Sequence, residues 1–172
     1  SENPKLLAWS GTNSGPVVAW NDEAPINRWN DILCLMERLA PEKPLIPENV
    51  KEQIEVMGIS NAICGELGFG WNRRLDMMRP PEGEEPSDFG KKYSYRDTEA
   101  ALANGRVIAL MVELSSRLKD QASKGSQFLV GTSVTAADFY WAAFSNFVVI
   151  QPAEDCPINP QARPMFENTP AD

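Results

Sequence analysis

The chain has 172 residues, the size of one ordinary domain or of a small lobe carried on a larger one. With 42% hydrophobic and 23% charged residues it has the make-up of a globular protein that buries a core, not of a disordered chain. A net charge of −8 removes the long-range attraction on which binding to phosphate backbones or anionic lipid depends, so nucleic acid is not an expected partner.

In chain order, residues 4–15 (PKLLAWSGTNSG) read as a short apolar piece followed by a loop. The Gly-Thr-Asn-Ser-Gly stretch has neither the lysine nor the spacing of a phosphate-cradling P-loop. PVVAWNDEAP predicts a hairpin from Pro16 to about Ile26, turning at Asn21 and Asp22. Trp29, Ile32, Leu33, Met36 and Leu39 recur at three- and four-residue steps, which predicts an amphipathic helix capped near Asn27 and stopped by Pro41. After a proline-rich loop the same rhythm runs through Val50, Ile54, Met57, Cys64, Trp71, Leu75 and Met78, predicting one long helix. Gly65, Gly68 and Gly70 crowd its centre and imply a bend, a close helix crossing or a ligand against the backbone. RPPEGEEPSDFG reads as an acidic loop without the spacing of a calcium site. Ala100, Ala103, Val107, Met111, Leu114 and Leu118 then mark one face of a further helix ending around Gly125.

No apolar run approaches the roughly 20 residues of a membrane helix, and SENPKLLAWSG lacks the basic and apolar regions of a secretory signal, so no membrane insertion is expected. Cys34, Cys64 and Cys156 are odd in number and form no CxxC pair, which predicts reduced thiols and a cytoplasmic or other reducing compartment. The chain has no histidine. Ser-His-Asp and Cys-His nucleophile systems and HExxH metalloproteases are thereby excluded, and no metal site is predicted.

Asp138 stands in an otherwise apolar run, GTSVTAADFYWA. A buried carboxylate needs partners. With Thr135 as N-cap, Asp138 is the third helical residue, so its carboxylate can accept from the Thr135 N–H while the threonine hydroxyl accepts from the Asp138 N–H. Val134 before the cap and Phe139 after it would form the accompanying hydrophobic staple. This capping-box reading predicts a structural role for Asp138, and loss of the cap costs about 1–2 kcal/mol.

The stretch FLVGTSVTAADFYWA resembles the C-terminal helical domain of the glutathione transferase superfamily, in which a phrase of the form F-L-x-G-x-x-x-T-x-A-D opens a buried helix with this box and staple. GPVVAWNDEAPINRWNDILCLMERLAP is similar to the end of that family's thioredoxin-like half. The resemblance implies a mostly α protein: a partial thioredoxin-like β-hairpin and helix over residues 1–41, then an all-α helical bundle of the glutathione transferase C-terminal type over residues 42–172. It also implies glutathione as cosubstrate. By the resemblance, Pro16 takes the place of the family's cis-proline and Val17 that of the residue offering backbone groups to the peptide; the alternative is that Pro16 only begins an edge strand. Where the family grips the γ-glutamyl group with an acid or glutamine and then a small hydroxyl residue, this chain has Arg28 and Trp29. Arg28 could grasp a carboxylate but cannot hold the glutamyl ammonium. The family's catalytic Tyr, Ser or Cys would precede residue 1, so no catalytic residue is assigned within the chain.

Trp71 and Arg74 fall on the helix that in relatives lines the second-substrate pocket. Two readings stay open there: an organic anion held by aromatic and cationic groups, or Trp71 as core with Arg73 and Arg74 solvated or paired to the acidic loop. Two functions likewise stay open. One is a transferase conjugating glutathione to a small electrophile. The other is a non-catalytic interaction or assembly module, in which a protein partner, including a second copy in a homodimer, covers the edge of the incomplete sheet.

Overall fold

The structure, a computed structural model, describes residues 3–167. The chain is mostly helical with almost no strand, and it divides into two compact units between Leu45 and Ile46.

The first unit opens with a helix that periodicity missed, α1 (Pro4–Ser10). Its start is written locally: the Asn3 side chain accepts from the Leu6 N–H at 3.1 Å, and Pro4 occupies the first turn, where its missing donor is harmless. Gly11, at φ 71°, closes the helix by donating to the Leu7 carbonyl. The Gly15–Pro16 peptide is cis. The expected hairpin is reduced to one antiparallel bridge, in which Val18 and Ile26 exchange both backbone hydrogen bonds (2.9 and 2.8 Å) around a turn with Asn21 at φ 51°. Next comes α2 (Trp29–Leu39). Its buried residues are Leu33 and Leu35, whereas Met36 and Leu39 of the expected stripe are exposed. Residues two apart point to nearly opposite sides of a helix, so a single-stripe pattern could not describe this one.

The second unit begins with α3 (Val50–Cys64), capped by the Asn49 side chain on the N–H groups of Lys51 and Glu52. The expected long helix is not continuous. It ends at Cys64 and resumes as α4 (Phe69–Met77). The glycines are the reason. A Cβ on Gly65 would lie 2.4 Å from the Asn61 carboxamide oxygen, and one on Gly68 would lie 2.6 Å from the Ala62 carbonyl. Leu67 between them adopts φ 62°. Buried Asn72 then fastens the break, its Nδ2 donating to the carbonyls of Leu67 (2.6 Å) and Gly68 (2.8 Å). The stripe shifts accordingly: Val56, Ser60 and Ile63 are buried on α3, while Val50 and Ile54 are exposed.

A loop leads to the short α5 (Asp88–Lys92) and to α6 (Asp97–Ser123), which follows the expected face closely: Ala100, Ala103, Val107 and Leu114 are buried. The small alanines let α6 pack against α4, where Leu75, Met78 and Tyr95 complete the cluster. The last long element, α7 (Ala136–Phe144), packs against α3 and passes into a 3₁₀ turn, Ser145–Phe147. Only Ala136 and Ala137 of α7 are buried. Phe139 is 56% and Val134 41% exposed, so the helix is interior at its capped face and open on the other, a correction to the expectation of a wholly buried helix. The short α8 is Arg163–Glu167. Among the described residues no helix is long and apolar enough to cross a membrane.

Candidate functional site

The second unit contains a cavity of about 780 Å³ at the C-terminal end of α4, within the roughly 300–1,000 Å³ of small-molecule pockets. Its apolar wall is Met77 at the end of α4, Met78 at its C-cap, Phe89 from α5, Phe147 from the 3₁₀ turn and Phe166 from α8; the loop from Arg79 to Ser87 forms the rim. Thioethers and rings suit an apolar ligand body, because methionine adapts its shape and aromatic faces provide large contact area.

The wall is anchored by Arg73. This side chain is 7% exposed. Its Nε donates to the Phe147 carbonyl at 3.1 Å and its Nη1 to Asp76 Oδ2 at 3.0 Å. The charge is thereby paired with a carboxylate three residues on, and the 3₁₀ turn that carries Phe147 is tied to α4. Phe147 also lies 5.8 Å from the Phe144 ring and 5.4 Å from Phe166. The alternative in which Arg73 is solvated or pairs with the acidic loop is corrected: it is buried, and Asp76, the carboxylate it pairs with, is on its own helix.

Arg74 behaves differently. It lines the cavity, and its guanidinium carbon lies over the Tyr93 ring, 4.7 Å from the centroid, a cation–π contact. Tyr93 is in turn braced edge-on by Phe89 at 4.8 Å. Arg79, the other cation of the lining, donates to the Ala100 carbonyl at 3.0 Å and lies 3.5 Å from Asp76. Glu84 and Glu85 sit on the exposed rim. Of Trp71 and Arg74, the two residues singled out on this helix, Arg74 lines the cavity. Trp71 is not in the lining; it packs on the Leu75–Tyr95 core cluster, so for Trp71 the core alternative describes its place. The missed residues, Phe89, Phe147 and Phe166, come from short helices and a turn with no periodic pattern to mark them.

In the first unit Pro16 is exposed and Val17 half-buried. Among the described residues neither backbone group of Val17 takes part in a hydrogen bond. Arg28 is the N-cap of α2, exposed and without a side-chain cap, and Trp29 is the first helical residue.

The capping site is tighter than expected. The Asp138 carboxylate accepts from the Thr135 N–H (2.8 Å), from the Thr135 hydroxyl (2.9 Å) and from the Leu129 N–H (2.8 Å). The reciprocal arrangement of a capping box is present, but the short bonds all end on the carboxylate. Besides starting α7, Asp138 therefore closes the turn containing buried Leu129 and Val130. Of the cysteines, Cys64 has its thiol pushed up to about 12 by burial, which leaves it protonated and inert near neutrality. Comparison with protein-family models, curated proteins and solved structures finds no match for this chain.

Proposed function

We propose that the chain belongs to a glutathione transferase-like protein that conjugates or transfers glutathione to a small electrophile, the cavity of the second unit seating the electrophile. The cavity carries the reading: an apolar pocket of about 780 Å³ with Arg74 in its lining is a binding place for a small organic molecule. Two local features support it. The Thr135–Asp138 box stands within the phrase that resembles the superfamily, and among the described residues the Val17 backbone groups make no hydrogen bond and so can meet a peptide-like ligand. Arg28 and Trp29 would then meet the γ-glutamyl end by charge and ring contact instead of by a small hydroxyl. The test is retention of the full-length natural protein on immobilised glutathione, with product mass measured after incubation with 1-chloro-2,4-dinitrobenzene. Retention and a glutathione adduct are expected; a protein that flows through and forms no adduct overturns the reading.

A second reading, an assembly module, is favoured by one observation. Val50 and Ile54 on α3, and Ile108 and Val112 on α6, are one-turn pairs at least half exposed, and the two helices are tied by the 2.7 Å Arg117–Glu55 ion pair. Where such pairs join into one contiguous patch they mark an interaction surface, a second copy of the chain included. Sedimentation velocity separates the cases: a monomer at tens of micromolar, unaltered by Val112→Glu, removes homodimerisation.

A further inference from the structure

We propose that the cavity at the end of α4 selects a singly charged organic anion, an aryl or alkyl carboxylate, with its charge on Arg74 and its apolar body against Met77, Phe147 and Phe166. This rests on the reading of the cavity as a small-molecule seat and names the class of molecule it takes.

The inference comes from how the charges around the cavity are engaged. Arg73 is bound to Asp76 and the Phe147 carbonyl, and Arg79 to the Ala100 carbonyl with Asp76 nearby. Arg74 is different: among the described residues its guanidinium has the Tyr93 ring as its contact and makes no hydrogen bond or ion pair. It is half-buried beside methionine and phenylalanine side chains. A guanidinium carries five donors in a planar fork matched to a carboxylate, so the uncommitted Arg74 donors can serve a carboxylate in bidentate fashion. The Tyr93 contact restrains the guanidinium before any ligand arrives, which lowers the ordering cost of binding.

The rim limits the ligand to one charge. Glu84 and Glu85 are exposed and line the same opening. Their fields are damped by water and salt, so they do not cancel an anion seated deeper at Arg74, but they oppose a second negative group at the ligand's outer end. A monocarboxylate with an apolar tail satisfies both ends. A dianion or a nucleotide phosphate does not.

Isothermal titration of the full-length natural protein, without glutathione, compares 2-naphthoate with its neutral isostere 2-naphthamide and with naphthalene-2,6-dicarboxylate. Naphthoate is expected to bind one-to-one and about tenfold or more tightly than the amide, the scale of a charge-assisted bidentate contact. The dicarboxylate should bind more weakly than naphthoate and recover in a Glu84→Gln/Glu85→Gln double variant. Arg74→Gln should erase the preference for naphthoate while leaving naphthamide within about twofold, as expected for removal of one charge-assisted contact. Equal binding of acid and amide, a preference that survives Arg74→Gln, a dicarboxylate as tight as naphthoate, or no binding of either naphthyl probe at millimolar concentration overturns the proposal. The wild-type comparison does not depend on any variant folding. Because glutathione is absent, selective naphthoate binding by a protein that ignores immobilised glutathione would remove the transferase reading alone, whereas a glutathione-retained protein indifferent to ligand charge would remove the anion proposal alone.

Discussion

Two helix starts in the second unit are specified in opposite ways. At α7 the instructions are contained in a few neighbouring side chains: Thr135 and Asp138, three apart, with the carboxylate also reaching Leu129. At α4 there is no capping side chain on Gly68. That start exists because glycines admit a turn that a Cβ would block, and because Gly70 lies against the Phe144 ring at the end of α7, where an added Cβ would come 2.1 Å from a ring carbon. Hydrogen bonding over a few residues fixes the first, and close packing between distant segments fixes the second. A local start survives changes elsewhere; a packed start does not.

The strongest way to break the local start is Asp138→Ala. It removes a cap and leaves the Leu129 N–H without its acceptor, so a loss of about 3 kcal/mol is expected, combining a cap of about 1–2 with a buried unsatisfied donor. Urea titration of the variant checks this, and a fall under about 1 kcal/mol would mean that water replaces the carboxylate. Gly70→Ala tests the packed start. The Phe144 ring must move, at a cost of about 1–3 kcal/mol, and near-ultraviolet circular dichroism should register the displaced aromatic while helix content stays unchanged. A variant with wild-type Tm and aromatic signal would show that α4 and α7 do not meet so closely. Smallest and opposite in sign is Arg28→Ser at α2, whose N-cap is exposed and makes no side-chain bond. Supplying a hydroxyl acceptor there should add about 0.5–1 kcal/mol, read as a higher urea midpoint with unchanged m-value. Absence of any gain would show that the start of α2, like that of α4, is set by packing.

The same contrast explains which parts of the molecule were legible from residue order. The face of α6 could be read because Ala100, Ala103, Val107 and Leu114 repeat with the helix and meet one packed layer. For α2 the same reading selects Met36 and Leu39, which are exposed, because Leu33 and Leu35 are buried on two sides. α1 was passed over although Asn3 and Pro4 are ordinary start signals, since its Leu7 and Trp9 are exposed and form no stripe. At the cavity, Arg74 could be singled out only through the family resemblance, as a cation on the helix that in relatives lines a second pocket. Its neighbour Arg73 could not be told from it: the two adjoin in the chain and differ in the partners that folding supplies.

Residue order alone determined the cap of α7, the turns at Gly11 and Asn21, and the face of α6, because these depend on hydrogen bonds, steric limits and a repeat that span only a few positions. Tertiary structure decided that α3 and α4 part at residues 65–68, that α7 is half open, and that Phe89, Phe147 and Phe166 converge around Arg74. These outcomes are set by volume and proximity between segments far apart in the chain, and such distances are fixed only when the whole unit packs.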